Sequence, residues 1–232
     1  DVITHFLKQR NLQDTKQNRS LIENELRTNG YKIYTTVDPD VQKAVEESLA
    51  NWENYPKLAD SKDSVVRDES GGGVNEIIQP QAAAVVLEQQ TGELKAVVGG
   101  RTTPTAKKTL NRAYQSKMPV GSSIKPIAVY APALDKGYSD GTVVPNLPVP
   151  IEGWEVRNGV DGYPSGGSSF YGPMTLRGSI VNSLNSATAY TLLKLVGLQD
   201  SFNYLVQMGI NPVDIQQTGS GLALGTSGIT PI

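Results

Sequence analysis

The sequence has no cysteine and only one histidine among its 232 residues, and both shortages exclude kinds of chemistry. Without cysteine, the chain can form neither a disulfide framework, nor a thiol nucleophile, nor a thiolate metal site. The single histidine, His5, lies in a polar amphipathic stretch that favours a surface position. This excludes a Ser-His-Asp triad and a multi-histidine metal centre, so hydrolytic chemistry must use another base. We expect no metal and no cofactor.

An excess of one charge and a long apolar run are also missing. The formal net charge is -2 and the sequence pI is about 5.5, so nucleic acid and anionic membrane surfaces are not expected partners. The longest uninterrupted apolar run, Ala82 to Leu87, is far shorter than the roughly 20 residues of a membrane helix. The chain begins at Asp1 rather than methionine and stops at Ile232 just after Thr-Pro. We therefore expect both ends to be cut, with a membrane anchor upstream.

Local patterns near the N-terminus predict a helix, a strand and a second helix. The capping-box pattern of Ser20 to Glu23, followed by the stop signal Gly30, predicts a helix over residues 21–28 at the end of a linker. Residues 31–37 are rich in β-branched and aromatic side chains and predict a strand. Asp38 and Pro39 then cap the next helix, which the strand enters directly.

The middle of the chain predicts one hairpin between two irregular regions. Residues 51–79 lose their periodicity, and we interpret them as a surface insertion or mobile connection. The apolar runs 81–87 and 94–98 predict an antiparallel hairpin that begins the core sheet. Residues 138–172 are rich in Gly, Pro and Asn and predict a structured loop region.

Helical patterns dominate the remaining sequence. Residues 121–134 predict a helix with Pro126 in its first turn and a kink at Pro132. Three amphipathic helices are predicted after residue 175, of which the second ends at Gly197.

The strongest local candidate for chemistry is Ser122 together with Lys125. These residues are three positions apart at the start of a predicted helix and therefore face the same side. Without a suitable histidine, a lysine with a pKa lowered by burial can serve as the general base that activates the serine. Ser123 competes as the nucleophile, but its spacing puts it on another face from the lysine. An N-cap serine beside a solvated lysine gives the same pattern, so the pattern alone leaves both interpretations open.

A second candidate is the pair Ser183 and Asn185, which lies in a turn between two predicted helices. The hydroxyl can relay a proton to a leaving amine, and the carboxamide can hold the carbonyl of an acyl substituent. An ordinary turn-forming Ser-Asn pair is the alternative. The order of the two candidates along the chain strengthens both.

These residues and their flanks resemble the N-terminal portion of the transpeptidase domain of bifunctional, class A penicillin-binding proteins. Ser122 to Lys125 stands in the place of the family's first motif, and Ser183 to Asn185 stands in the place of its second. The segments that carry the resemblance are 31–42, 81–100, 111–113, 121–126, 174–177, 183–185, 222–225 and 229–231.

The resemblance implies the α/β (α+β) fold of penicillin-binding proteins and serine β-lactamases, in which an antiparallel sheet packs against helices. In this chain the fold would be incomplete. Residues 1–30 would be a linker from an upstream region, and residues 31–232 would be the N-terminal part of the transpeptidase domain. The protein would lie at the extracytoplasmic face of a bacterial cell membrane, anchored by a segment absent from this chain.

The resemblance also implies a peptidoglycan D,D-transpeptidase that cross-links stem peptides and is inhibited by β-lactam antibiotics. Ser122 would attack the D-alanyl-D-alanine bond and form an acyl-enzyme, while its backbone N–H supplies one oxyanion donor. Lys125 would take the serine proton, Ser183 would pass a proton to the leaving nitrogen, and Asn185 would bind the substrate. The amine of a second stem peptide would then take the acyl group.

One feature of the family is missing from these residues. No lysine of the sequence is followed by Thr-Gly or Ser-Gly, which is the family's third motif. We expect this motif in a remaining C-terminal part of the same domain, which would be a necessary partner. The present chain alone would then be inactive.

Two alternatives share the first motif. A serine β-lactamase or D,D-carboxypeptidase would finish the reaction with water, and Glu152 and Glu155 lie in the general stretch where a deacylating glutamate would be sought. A β-lactam sensor would be acylated without turnover. The pattern around Trp154 resembles transpeptidases more than β-lactamases or carboxypeptidases, and the sensor stays open as an alternative.

Overall fold

The computed structural model describes residues 2–68, 75–104, 109–148, 150, 152–158 and 170–232, which form helices and pairs of antiparallel strands. The α-helices in these ranges are α1 (Val2–Gln9), α2 (Lys16–Thr28), α3 (Pro39–Asn51), α4 (Arg112–Gln115), α5 (Ala131–Asp135), α6 (Leu176–Val181), α7 (Asn185–Tyr190), α8 (Leu198–Gln207) and α9 (Gly219–Ala223). The strands are β1 (Val65–Asp68), β2 (Asn75–Ile78), β3 (Ala84–Leu87), β4 (Leu94–Val98), β5 (Met118–Pro119), β6 (Val143–Asn146), β7 (Gly172–Thr175) and β8 (Gly228–Ile229).

The strands pair as β1 with β2, β3 with β4, β5 with β8 and β6 with β7, and each pair is antiparallel. The mixture of helices and antiparallel strand pairs confirms the predicted α+β class, with sheets that are incomplete in this chain. Across the described ranges, no helix combines the length and apolar character needed to cross a bilayer.

The N-terminal helices α1 and α2 form a hairpin with a different start from the predicted one. Helix α2 begins at Lys16, because the Thr15 hydroxyl accepts the Asn18 N–H at 3.2 Å. The capping-box prediction was wrong, since Ser20 lies inside the helix. Ile22 is fully buried at this hairpin, while Arg10 and Glu25 form an ion pair across it.

Residues 31–37 do not form the predicted strand. Hydrogen bonds connect this part of the chain to β4. The Thr36 hydroxyl donates to the Leu94 carbonyl at 2.7 Å, and the N–H of Asp38, the next residue after the stretch, donates to the Lys95 carbonyl at 2.9 Å. The backbone therefore approaches the sheet edge without joining it in a regular ladder. Tyr34 remains 87% exposed. Strand-forming residues stabilise a strand mainly when their side chains pack against neighbours, and this packing is missing here.

Helix α3 follows as predicted and covers the edge of β4. The Asp38 carboxylate accepts the N–H groups of Asp40 and Val41, which caps the first turn. Gln42 then bonds both backbone groups of Val97: its oxygen accepts the N–H at 2.9 Å and its nitrogen donates to the carbonyl at 3.1 Å. One glutamine side chain thus satisfies backbone groups that a further strand would otherwise pair.

The predicted hairpin over 81–98 is confirmed as β3 and β4, with Ala84 opposite Val98. The prediction that residues 51–79 are irregular was wrong in part, since Val65 of β1 pairs with Ile78 of β2. The glycine run at 71–73 lies outside the described residues. A β-strand, β6, also interrupts the region predicted to be loop.

The segment predicted as one helix over 121–134 has three geometries. A 3₁₀ turn over Gly121–Ile124 leads into a π-helical stretch over Pro126–Tyr130 and then into α5. Pro132 has no N–H to give to the Ala128 carbonyl, four residues earlier. The fully buried Ser201 hydroxyl of α8 donates to this carbonyl instead, at 2.6 Å.

The helices that follow residue 175 surround this segment and form the main hydrophobic core. Helix α7 continues as a π-helical stretch over Thr191–Val196 and ends at Gly197, whose φ of 93° is a left-handed conformation that favours glycine. The fully or nearly fully buried side chains of this core include Ile124, Val129, Val144, Leu176, Leu184, Leu192, Leu205 and Leu222.

The Ser201 hydrogen bond gives a test of this packing. We expect Ser201→Ala to destabilise the domain by about 1–3 kcal/mol, because a buried hydrogen bond is lost without access for water. Ser48→Ala is the matched control, since Ser48 also donates to a helix carbonyl, at 2.7 Å, but is exposed. Thermal unfolding of the whole protein with each substitution measures the difference. Equal shifts for both variants would contradict the role of Ser201.

Candidate active site

Ser122 lies in the 3₁₀ turn that follows β5, next to the place where β5 pairs with β8. The Gly121 N–H donates to the Gly225 carbonyl at 3.0 Å, and both glycines have positive φ, at 59° and 70°. A Cβ on Gly225 would come within 2.0 Å of the Gly121 carbonyl oxygen, so only glycine allows this approach. The two backbones therefore set the position of the turn that carries Ser122.

The two serines of this turn differ in what their hydroxyls bind. Ser122 is exposed, and its hydroxyl has no hydrogen bond to any residue within the described ranges. The Ser123 hydroxyl donates to the Val120 carbonyl at 2.6 Å. Ser122 is thus the hydroxyl available to a ligand, whereas Ser123 serves the local turn.

Lys125 is buried, with 1% of its surface exposed, and its amine lies among three oxygen atoms. The amine donates to the Ser183 carbonyl at 2.7 Å, to the Ser183 hydroxyl at 3.1 Å and to Asn185 Oδ1 at 2.7 Å. The structure therefore brings together three of the four predicted residues, across about 60 positions of sequence. In the described part of the chain, no hydrogen bond joins the amine to the Ser122 hydroxyl, which lies one helical turn earlier.

Burial changes the acid–base behaviour of this amine. It lowers the pKa of Lys125 from 10.5 to about 8, because the charged form loses hydration. An amine with this pKa is neutral in a useful fraction of molecules near neutral pH and can accept a proton. The lysine thus has the property that the sequence pattern required of a general base.

Ser183 is held in a left-handed conformation at the end of α6. Its φ is 50°, its N–H donates to the Ile180 carbonyl, and the next N–H, of Leu184, donates to the Ser179 carbonyl. This is the Schellman arrangement, in which glycine is the usual residue at the position of Ser183. A serine in this conformation is strained, and its hydroxyl and carbonyl both reach Lys125 as a result.

Asn185 is the first residue of α7, and its carboxamide joins two parts of the site. Its oxygen accepts from Lys125, while its nitrogen donates to the Arg157 carbonyl at 2.9 Å. One amide N–H is left without an acceptor among the described residues. The side chain is therefore firmly oriented by the protein, and this remaining N–H is the group with which it could bind a substrate.

Helix α7 begins without a cap from its own N-cap residue, Leu184. The side-chain oxygen of Asn158, 28 residues earlier in the chain, accepts the Ser186 N–H at 3.0 Å and takes this role. Neither Arg157 nor Asn158 was predicted as a site residue, because a cap from so distant a position has no local signal. An asparagine within a loop region was the one available hint.

The buried hydroxyl of Tyr130 supports the turn at residues 183–185 through Thr188. The Thr188 hydroxyl donates to the Leu184 carbonyl at 2.6 Å, so it must accept from the Tyr130 hydroxyl at 2.8 Å. Burial raises the pKa of Tyr130 to about 12, which keeps this phenol a donor. Tyr130 follows Lys125 by five residues, so one helical segment contributes to both faces of the site.

The geometry combines an exposed hydroxyl, a buried amine and a second hydroxyl hydrogen bonded to that amine. Such a group can activate an alcohol for attack on a carbonyl and pass the proton onward. The described ranges hold no cluster of three or more histidine, cysteine or carboxylate side chains placed to bind an ion.

The family described as penicillin binding protein transpeptidase domain matches residues 82–231 of the chain. Similar proteins include penicillin-binding protein 1A of Clostridium acetobutylicum, which is 35% identical over 82% of this chain and 22% of its own length. Penicillin-binding protein 1A of Clostridium botulinum strain Langeland is 33% identical over 94% of this chain and 25% of its own length. The chain thus spans about a quarter of the length of these relatives.

Two solved structures share the fold. The crystal structure of penicillin-binding protein 1A from Haemophilus influenzae has a TM-score of 0.63 at 18% identity, over 99% of this chain and 49% of that one. The penicillin-binding protein PonA1 from Mycobacterium tuberculosis has a TM-score of 0.66 at 23% identity, over 98% of this chain and 51% of that one.

The strain at Ser183 can be measured with two substitutions that remove the same hydroxyl. We expect Ser183→Gly to be more stable than Ser183→Ala by about 1 kcal/mol, because only glycine accepts a φ of 50° without steric cost. Both variants lose the hydroxyl contact with Lys125, so that loss cancels in the comparison. Thermal unfolding of the two variants provides the measurement, and an alanine variant as stable as the glycine variant would show that Ser183 is unstrained.

Proposed function

Because the chain belongs to the penicillin-binding protein transpeptidase family, we propose that it forms part of a peptidoglycan D,D-transpeptidase that acts through a serine acyl-enzyme. The observation that carries the proposal is the buried amine of Lys125, one helical turn from the exposed hydroxyl of Ser122. Its three oxygen neighbours come from Ser183 and Asn185.

In the first step, Ser122 Oγ attacks the carbonyl carbon of the D-alanyl-D-alanine bond, and its proton passes to the neutral amine of Lys125. The tetrahedral intermediate collapses, the C–N bond breaks, and the terminal D-alanine leaves as its nitrogen gains a proton. A pKa of about 8 suits Lys125 to both accepting and returning that proton near neutral pH. The backbone N–H of Ser122 is one donor to the oxyanion.

Ser183 provides a route for the proton from Lys125 to the leaving nitrogen. Its hydroxyl lies 3.1 Å from the amine, and the residue is exposed, so one end of this contact is buried and the other is open to a ligand. When the amine is protonated it donates to this hydroxyl, and when it is neutral the hydroxyl can turn and donate to the amine. The left-handed backbone supports this role, because it directs the residue toward Lys125.

In the second step, the amine of a neighbouring stem peptide attacks the acyl-enzyme and receives the acyl group, which forms a cross-link. A β-lactam would acylate the same serine through opening of its ring. Peptidoglycan stem peptides and β-lactams are thus the proposed ligands. The proposed location is the extracytoplasmic face of a bacterial cell membrane, with residues 1–30 as a linker and residues 31–232 as part of the catalytic domain.

We also propose that these 232 residues do not complete the site by themselves. The family's Lys-Thr-Gly or Lys-Ser-Gly motif, which would grip the substrate carboxylate and supply a second oxyanion N–H, does not occur in the sequence. The remaining part of the domain would supply it.

Hydrolytic alternatives would need a group that activates water for deacylation. Glu152, one candidate in the sequence, accepts a hydrogen bond from Lys194 at 2.7 Å, and Glu155 is exposed. Neither is hydrogen bonded to Lys125, Ser183 or Asn185 in the described residues, which favours transfer to an amine. A β-lactam sensor shares the acylation step and would differ in lacking cross-linking activity.

Labelled penicillin tests the nucleophile. We expect the whole protein to form one covalent adduct, Ser122→Ala to form none, and Ser123→Ala to retain labelling, because the Ser123 hydroxyl only supports the turn. Peptide mapping of the adduct by mass spectrometry makes the measurement. We expect no labelling of the isolated 232-residue chain. An adduct that persists in Ser122→Ala would refute the assignment, and labelling of the isolated chain would refute its incompleteness.

The acylation rate should depend on pH through Lys125. Since the base is the neutral amine, the rate should rise with a midpoint of about 8 and level off at higher pH, with about a tenth of the plateau rate at pH 7. Stopped-flow measurement of penicillin binding across this range gives the profile. Lys125→Arg should be slow at every pH, because arginine stays protonated. A midpoint near 10.5, the value of an unburied lysine, would contradict the role of burial.

A further inference from the structure

The loop residues Arg157 and Asn158 are joined to the start of α7 by two hydrogen bonds from successive residues. Asn185 Nδ2 donates to the Arg157 carbonyl at 2.9 Å, and the Ser186 N–H donates to Asn158 Oδ1 at 3.0 Å. Asn158 is buried, with 4% of its surface exposed. These two hydrogen bonds fix the position of the loop relative to α7, and therefore the position of the Arg157 carbonyl.

The side chain of Asn158 is also held by strand β6. Its nitrogen donates to Asn146 Oδ1 at 2.8 Å, and Asn146, at the end of β6, is fully buried. The Ser186 hydroxyl donates to the neighbouring Leu147 carbonyl at 3.0 Å. Strand β6, the loop and the start of α7 therefore meet in one buried polar layer, in which the side chain of Asn158 is central.

The Arg157 carbonyl determines which end of the Asn185 amide faces Lys125. A carbonyl can only accept, so the amide nitrogen must point toward Arg157 and the amide oxygen toward the lysine amine. If the carbonyl moved away, the amide could rotate and present an N–H to Lys125. That N–H would compete for the lone pair with which the neutral amine accepts a proton.

We propose that Asn158 is a positioning residue for acyl transfer: by capping α7 and holding the Arg157 carbonyl, it keeps the Asn185 oxygen directed at Lys125. The inference rests on the proposed function of Lys125 as the base. Asn158 acts through Asn185 and touches neither the nucleophile nor the lysine amine. Its effect on the reaction should therefore depend on the presence of the Asn185 side chain.

The surroundings of the lysine contain few other groups that could produce the same effect. The groups hydrogen bonded to its amine are a carbonyl, a hydroxyl and an amide oxygen, none of which carries charge. Titratable side chains on its own helical segment and on the elements that pack against it are Tyr130, Asp135 on α5, Arg157 in the loop, Arg177 on α6, Tyr190 on α7, Lys194 on the π-helical stretch that follows, and Asp200 and Tyr204 on α8. A substitution at Asn158 removes none of these side chains.

A double-mutant cycle on the whole protein tests the proposal, with the rate of acylation by labelled penicillin as the readout. We expect Asn158→Ala to lower the acylation rate on the high-pH plateau about tenfold in the presence of Asn185, and less than about twofold when combined with Asn185→Ala. We also expect the midpoint of the pH profile to fall below that of the parent protein, because an amide N–H turned toward the amine disfavours its charged form.

Asn211→Ala is the matched control, because Asn211 also caps a short helical turn, at 3.2 Å to the Val213 N–H, away from these contacts. It should leave both the rate and the midpoint unchanged. If Asn158→Ala does not fold, Asn158→Ser carries the same cycle, since its hydroxyl leaves a polar space that water can fill. Thermal unfolding of each variant identifies those that are folded.

The outcomes separate this inference from the proposed function. A parent protein that is labelled on Ser122, together with additive effects of the Asn158 and Asn185 substitutions, would overturn the positioning role alone. An unchanged or raised midpoint in a folded Asn158 variant would do the same. A parent protein that takes no label would overturn the proposed function, and the role of Asn158 would fall with it.

Discussion

The amine of Lys125 is enclosed by protein and still has an oxygen atom in each of three directions. Taking an ammonium group out of water costs several kcal/mol unless hydrogen bonds replace its hydration. The fall of its pKa from 10.5 to about 8 corresponds to roughly 3 kcal/mol by which burial disfavours the charge. The turn at residues 183–185 supplies all three oxygen atoms. The shape of this turn therefore sets both the free-energy cost of burying the charged amine and the ability of the amine to accept a proton.

Much of the neighbouring structure follows from the need to hold that turn. Ser183 keeps a left-handed backbone that glycine would adopt at lower cost, and α7 takes its cap from Asn158 in a distant loop. On the opposite side, the close backbone contact of Gly121 with Gly225 holds the 3₁₀ turn of Ser122. Strained conformations of this kind persist where the surrounding structure holds the residue, as Lys125 holds Ser183 through its carbonyl and hydroxyl.

Local signals predicted the elements that depend on neighbours in sequence. The cap of α3 by Asp38, the hairpin of β3 and β4, and the end of a helix at Gly197 all follow from spacing and from backbone preferences. The strand predicted over residues 31–37 failed, because a β-prone segment forms a strand only where a partner offers a full row of backbone groups. Gln42 already bonds Val97 on the edge of β4.

The sequence by itself determined which side chains were available: a serine and a lysine three residues apart, a second serine and an asparagine farther on, and no cysteine or second histidine to offer other chemistry. Only the tertiary structure decided what surrounds them. Burial of the Lys125 amine, its contact with Ser183, and the direction of the Asn185 amide all depend on residues brought together across 28 to 60 positions. Spacing along one helix can place two side chains on one face, but hydration and hydrogen-bond direction are set by whatever packs against that face.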